Sequence, residues 1–106
     1  MTEFIRVASV DDIKPGERLW VDLEEEMVII FNANGTYYCI ADLCSHDGGP
    51  LEDADLIGCE VECPRHGGRF DIRTGKPTAL PAIEAIPTYE VKVENGEIYV
   101  EAPEVW

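Results

Sequence analysis

Short runs of alternating apolar and polar residues, separated by turn signals, dominate the chain and predict β-strands. The clearest pair of runs flanks Asn95-Gly96, and a second pair flanks Asn34-Gly35. An Asn-Gly step between two such runs is the strongest short-range signal for a β-hairpin with a two-residue turn. The predicted strands of these hairpins are 89–94 with 97–101, and 27–31 with 36–40.

The rest of the pattern adds strands and almost no helix. Lys14-Pro15-Gly16 predicts a turn before a strand at Arg18–Leu23, Phe4–Ala8 can supply an N-terminal strand, and only Val10–Ile13 could form a single helical turn. Many short strands predict an all-β fold, a small antiparallel barrel or sandwich. The 106 residues are expected to form one domain, 1–106, with Gly- and Pro-rich loops over about 42–82 as an insert at one end.

The chain is strongly acidic, with a formal net charge of −14. Because a polyanion repels nucleic acid, a nucleic-acid binder is excluded, whereas a carrier that docks transiently on basic partner surfaces fits. The segment 42–55 is acidic, but four of the eight basic residues fall within the twelve positions 65–76: Arg65, Arg69, Arg73 and Lys76. We therefore expect a rim of mixed charge there. No apolar run has transmembrane length and no secretory signal opens the chain, so a cytoplasmic protein that binds no membrane is expected.

Two short motifs carry the candidate chemistry. They are Cys44-Ser45-His46 and Cys63-Pro64-Arg65-His66, with sixteen residues between His46 and Cys63. Each motif joins one thiolate donor to one imidazole donor, and together they use both histidines of the protein. If each motif gives its Cys to one iron and its His to the other, the four side chains hold a two-iron cluster with a Cys₂ end and a His₂ end.

The residues around these motifs resemble those of Rieske-type ferredoxins. The first motif continues as Asp47-Gly48-Gly49-Pro50-Leu51 and the second as Gly67-Gly68-Arg69-Phe70-Asp71, and a segment that contains two prolines, 76–81, follows. The flanking strand pattern also fits, so the resemblance covers nearly the whole chain. It implies a Rieske-like barrel or sandwich in which the ligand loops form the insert.

The resemblance also implies a cofactor and its ligands. One Rieske-type [2Fe–2S] cluster is expected, with Cys44 and Cys63 on the buried iron and His46 and His66 on the outer iron. The electron should localise on the His-bound iron, because replacing thiolates by imidazoles makes that end less negative. Pro81 and its loop are expected to shield the cluster from water.

The function that the resemblance implies is that of a soluble one-electron carrier, not an enzyme. Ferredoxins of this type pass electrons from a flavin-dependent reductase to the terminal oxygenase of a multicomponent aromatic dioxygenase or monooxygenase. A monomer is expected, with the reductase and the oxygenase as its partners. Arg65 and Asp47 are candidates for the docking rim.

Departures from the high-potential members of the family predict a low reduction potential. Those members carry an extra Cys in each ligand loop, at positions that are Gly49 and Arg65 here, so no disulfide can form across the cluster. Gly68 and Phe70 stand where those members have hydroxyl side chains near the cluster sulfurs. Hydrogen bonds to the cluster sulfurs stabilise the reduced state, and this chain is expected to have fewer of them. We therefore expect a midpoint potential between about −150 mV and roughly 0 mV.

Other uses of the same residue types are open at this point. A Cys₂His₂ set can hold structural zinc, although zinc fingers usually pair like ligands and each motif here is mixed. A Cys–His nucleophilic pair would leave the duplicated arrangement unexplained. An oxygenase needs a separate mononuclear iron site, for which no histidine is left. Alternatives to the free carrier are a Rieske-like small subunit of a larger reductase, such as assimilatory nitrite reductase, and a redox sensor.

We expect structural roles for the glycines of the ligand loops and for the two cysteines outside the motifs. Four glycines suit either a close approach of backbone to cluster or turns with positive φ; they are Gly48, Gly49, Gly67 and Gly68. Cys39 and Cys59 are expected to be buried small hydrophobic residues within strands.

Overall fold

The computed structural model describes residues 4–23, 26–42, 51, 54–63, 67–80 and 82–101. Within these ranges the chain forms short strands and one 3₁₀ turn, at Val10–Asp12. The strands are β1 (Phe4–Ser9), β2 (Arg18–Leu23), β3 (Glu26–Ala33), β4 (Thr36–Ala41), β5 (Asp55–Ile57), β6 (Glu60–Glu62), β7 (Arg69–Asp71), β8 (Pro77–Ala79), β9 (Thr88–Tyr89), β10 (Val91–Glu94) and β11 (Glu97–Glu101). Every pairing between them is antiparallel, which confirms the predicted all-β antiparallel fold.

The strands form three sheets, in the orders β1-β11-β10, β2-β3-β4-β9 and β5-β6-β7-β8. The third sheet lies within the expected insert and was not predicted as a sheet, because strands of three residues are too short for their alternation to be recognised. The described part of the chain contains no helix that is long and apolar enough to span a membrane.

Strand β3 is buried on both faces and joins the sheets into layers. On one face, Val28 and Ile30 pack with Ile98 and Val100 of β11. On the other face, Ile29 and Phe31 belong to a second core cluster that includes residues of the insert. A strand with two buried faces needs apolar residues at successive positions, which explains the unbroken apolar run at 28–31.

Both predicted Asn-Gly hairpins are confirmed. Asn34 and Gly35 have φ of 55° and 90°, and Asn95 and Gly96 have φ of 54° and 76°. Positive φ at both central residues defines the type I′ turn, whose twist matches that of the flanking strands. The register is therefore set locally, with Ala33 opposite Thr36 in the first hairpin.

The predicted strand 89–94 is wrong at one residue, because it is divided at Glu90. Tyr89 pairs with Cys39 in the central sheet, whereas Val91 pairs with Val100 in the β1-β11-β10 sheet. The backbone N–H of Glu101 donates to the carbonyl of Glu90 at 2.9 Å. The chain therefore passes from one sheet to the next at this residue, and that step links the two layers.

Candidate metal centre

The structure describes one of the four predicted ligands, Cys63. Cys44, His46 and His66 lie outside the described residues, and so do Pro81, Arg65, Asp47, Gly48 and Gly49. The ends of both ligand loops are described, however, together with a third segment that follows β8, residues 80–83 apart from Pro81. The geometry of the candidate site therefore rests on the residues that hold the loops.

Cys63 follows β6 directly and is 1% exposed. Its backbone N–H donates to the carbonyl of Gly68 at 2.7 Å, and its carbonyl accepts from the N–H of Gly67 at 2.9 Å. These two hydrogen bonds close the segment 63–68, which holds the second motif, at its base. A thiol placed in this way is excluded from water and ready to act as a buried metal ligand.

The loop that carries the first motif is closed by a side chain. The carboxylate of Asp42 accepts a hydrogen bond of 2.7 Å from the backbone N–H of Leu51. The N–H of Asp42 itself donates to the carbonyl of Met27 at 2.9 Å, and this bond fixes Asp42 next to the start of β3. Sequence reasoning missed Asp42, since one aspartate among many in an acidic chain gives no signal of its own.

The two closures meet in the same core. Leu51, at the end of the first loop, is fully buried in the cluster that also contains Cys63, Phe70 and Ala82. Leu51 and Cys63, which lie where the two ligand loops are closed, therefore belong to one apolar cluster. A site that takes one Cys and one His from each loop requires the loops to lie close together in this way. An apolar base also lowers the local dielectric and limits the access of water.

A third segment packs against the second loop. Gly68 is buried, and a Cβ added there would lie 3.1 Å from both the Cβ and the backbone nitrogen of Ala82. Gly67, in contrast, has φ of 77° and open space around its Cα. The tight contact with Ala82 thus favours glycine at 68, and the positive φ favours glycine at 67.

Two arginines of the predicted basic run are paired with nearby carboxylates. The Nε of Arg69 lies 3.0 Å from a carboxylate oxygen of Glu62, and its Nη1 lies 3.8 Å from one of Glu60. The guanidinium of Arg73 forms two hydrogen bonds to the Asp71 carboxylate, at 3.0 Å and 2.8 Å. These hydrogen bonds lower the pKa of Asp71 and raise the pKa of Arg73. Arg69 and Arg73 are therefore not isolated positive charges, and the mixed charge of the rim stays a prediction.

The two cysteines outside the motifs differ from each other. Cys39 lies in β4 and is buried, as predicted, and burial raises the pKa of its thiol. Cys59 is half-buried against the core in the turn between β5 and β6, next to Gly58. The prediction that Cys59 lies in a strand is wrong, because Gly58 has φ of 63° and turns the chain there.

A groove of about 480 Å³ lies between β4 and the segment that includes β9 and β10. Its walls include Tyr37 and Tyr38 of β4, Val91 of β10 and Arg73. Cys63, the predicted ligand that the structure describes, does not line it. A cluster held by loop side chains needs no such groove, so we assign the candidate site to the ligand loops.

Comparison with known proteins agrees with this assignment. The sequence profile of the Rieske [2Fe-2S] domain matches residues 3–90. The ferredoxin component of the p-cumate 2,3-dioxygenase system of Pseudomonas putida is 40% identical over 103 residues, which cover 95% of this chain and 87% of the relative. Among solved structures, the ferredoxin of carbazole 1,9a-dioxygenase from Nocardioides aromaticivorans IC177 has a TM-score of 0.88 and 40% identity, covering 95% of this chain and 98% of that one. A chain in the complex of reduced oxygenase and oxidized ferredoxin in carbazole 1,9a-dioxygenase has a TM-score of 0.88 and 30% identity, covering 93% of each chain.

Proposed function

Since this chain belongs to the Rieske [2Fe–2S] domain family, we propose that it carries single electrons from a flavin-dependent reductase to a terminal oxygenase. The observation that carries the proposal is the match, over 95% of the chain, to relatives that are ferredoxin components of dioxygenase systems. Such components transfer electrons and do not catalyse the oxygenation themselves. We further propose that the carrier is one domain, 1–106, that acts as a monomer in the cytoplasm.

Membership of the family implies one [2Fe–2S] cluster, and the described residues fit it. We propose that Cys44 and Cys63 hold the inner iron and that His46 and His66 hold the outer iron. The buried position of Cys63 and the shared apolar base of the two loops support this arrangement. When bound, the cluster accepts and releases one electron, at a potential that the two imidazole ligands raise.

The chain contributes a rigid and dry frame to this centre. Asp42 closes the first loop through Leu51, and the hydrogen bonds between Cys63 and Gly67–Gly68 close the second. Ala82 covers Gly68 from the third segment. Groups that are held in this way need little rearrangement when charge is gained or lost, which suits a fast electron carrier.

Partner recognition follows from charge and from the relatives. The net charge of −14 favours rapid encounter with a basic surface on the reductase or the oxygenase. The carbazole 1,9a-dioxygenase structure contains a ferredoxin in complex with an oxygenase. The alternative reading, a small subunit of a larger reductase, is not favoured, because the matched relatives are ferredoxin components of dioxygenase systems.

Reconstitution tests the proposed function. The loaded chain would replace the ferredoxin in the purified p-cumate 2,3-dioxygenase and carbazole 1,9a-dioxygenase systems, with oxygen uptake and product formation as the readouts. We expect restored turnover in at least one system and none without the chain. A loaded and reducible chain that restores neither system would overturn the proposal.

The ligand assignment has its own test. Cys63→Ala and His66→Ala should each lower the iron content well below about two irons per chain, whereas Cys59→Ala, which removes a half-buried thiol outside the motifs, should leave it unchanged. EPR of the reduced protein should show the rhombic signal of a His-ligated cluster. Retention of the full iron content by His66→Ala would contradict the assignment.

A further inference from the structure

Two large apolar side chains on the third segment are unusually exposed. Leu80 is 78% exposed and Ile83 is 73% exposed. The other exposed large hydrophobic residues of the described chain are between 43% and 48% exposed: Trp20, Met27, Ile57 and Val93. A single exposed apolar residue is ordinary, but two such residues three positions apart form a patch that calls for a partner.

The backbone holds these side chains outward. The N–H of Ala82 donates to the carbonyl of Ala79 at 3.2 Å, which makes a turn across the pair. Ala82 occupies the inward position against Gly68 and is 4% exposed. With that position filled by Ala82, Leu80 and Ile83 cannot bury themselves without breaking the turn. Their exposure is therefore built into the fold, and a rigid apolar surface loses little conformational entropy when a partner covers it.

The patch follows, in the fold, the loop that carries His66, a predicted ligand of the iron from which the electron is expected to leave. Gly68, which contacts Ala82, is two residues from His66, and two residues of extended chain span at most about 7 Å. A partner that approaches the His-bound iron closely must therefore also approach the third segment. The bound on chain length therefore keeps the patch near the predicted exit point of the electron.

We propose that Leu80 and Ile83 form the apolar centre of the surface on which the terminal oxygenase docks, an inference that rests on the proposed function. Interfaces commonly have an apolar core inside a polar rim, and here the acidic charge would steer the encounter while the patch holds the complex. A second copy of the chain is a poor occupant, since each copy carries a charge of −14. The oxygenase is the occupant we assign, because the carbazole ferredoxin, which shares this fold, forms a complex with its oxygenase.

Electron-transfer kinetics test the docking surface. The variants are Leu80→Gln, Ile83→Gln and the double variant, and the matched control is Val93→Gln, which changes a 48% exposed apolar residue in β10. Each reduced chain is mixed in stopped flow with increasing oxidised oxygenase, using the oxygenase that the wild-type chain supports in reconstitution. For the double variant, we expect the half-saturating oxygenase concentration to rise by about tenfold or more. The increase should persist at high salt, with the limiting rate, the cluster spectrum and the midpoint potential unchanged.

Each other outcome overturns the inference. If the double variant saturates like Val93→Gln, the patch does not dock the oxygenase. If only its reduction by the reductase slows, the patch belongs to the reductase, and if only its sedimentation changes, the occupant is a second copy. If the wild-type chain reduces neither oxygenase, the proposed function fails and the docking surface fails with it.

Discussion

The carboxylate of Asp42 and the backbone N–H of Leu51 are joined by a hydrogen bond of 2.7 Å across the whole first ligand loop. Asp42 is half-buried at the end of β4, and Leu51 is fully buried in the core below the insert. The bond thus connects the central sheet to the apolar base of the site. We interpret Asp42 as a positioning residue that limits how far the first loop can open.

Removal of this bond should loosen the loop and hasten the loss of the cluster. Asp42→Ala leaves the Leu51 N–H without its acceptor, at a cost of about 1–3 kcal/mol. Asp42→Asn keeps a side-chain oxygen in place and should retain most of the stability. The measurements are urea unfolding and the rate at which a chelator bleaches the cluster. Equal bleaching rates for the Asn and Ala variants would show that the charge, and not the hydrogen bond, is what matters.

Gly75 should be the least replaceable of the glycines in the described turns. It has φ of 79°, and a Cβ added to it would overlap the carbonyl oxygen of Ile86, which follows the third segment. Gly58 has a similar φ of 63° but open space around it, so Gly58→Ala measures the backbone strain alone, about 1–2 kcal/mol. Gly75→Ala should cost about 1–3 kcal/mol more than that, because Ile86 must move. Equal unfolding free energies for the two variants would refute the contact.

The sequence predicted the features that depend on local chemistry. The Asn-Gly turns form because Asn34 and Asn95 tolerate positive φ and glycine favours it, whatever the rest of the fold does. The apolar run of β3 was also recognisable as a strand, and it is apolar at successive positions because both faces of the strand are buried. The two Cys–His motifs predicted the family, and the comparisons confirm it.

The features that the sequence did not predict depend on distant contacts. The division of 89–94 at Glu90 arises because Tyr89 and Val91 have partners in different sheets. Asn32 is buried, but its amide donates to the carbonyl of Ile13 at 2.8 Å and accepts from the N–H of Gly35 at 2.7 Å. The partner Ile13 could not be inferred from the residues next to Asn32, whereas the bond from Gly35 belongs to the local Asn-Gly turn. Tertiary structure decides these cases, as it also decides the closure by Asp42.

The contact between Gly68 and Ala82 should control the access of water to the cluster. Gly68→Ala places a Cβ 3.1 Å from the Cβ and the backbone nitrogen of Ala82, so we expect the third segment to shift by a few tenths of an ångström. Since water stabilises the more negative reduced cluster, we expect a higher midpoint potential and faster bleaching by a chelator. Gly68 has no positive φ, so this substitution adds no backbone strain of that kind. Gly16→Ala, at a turn with open space elsewhere in the chain, is the control for general destabilisation without the contact. An unchanged potential in Gly68→Ala would show that the third segment does not shield the site.

The pair formed by Asp71 and Arg73 should make stability depend on acid pH. The hydrogen bonds from the Arg73 guanidinium lower the pKa of Asp71 in the folded protein. A carboxyl group with a lowered folded pKa contributes stability above its unfolded pKa of about 3.9, and this contribution is lost as the pH falls through the lower folded value. The difference in unfolding free energy between the wild type and Asp71→Asn should therefore be largest near neutral pH and shrink in acid. Glu97→Gln, which removes the exposed pair between Arg6 and Glu97 at 3.0 Å, should have a smaller effect. A wild-type advantage over Asp71→Asn that stays constant from neutral pH to about pH 3 would show that ionisation of Asp71 contributes nothing to stability.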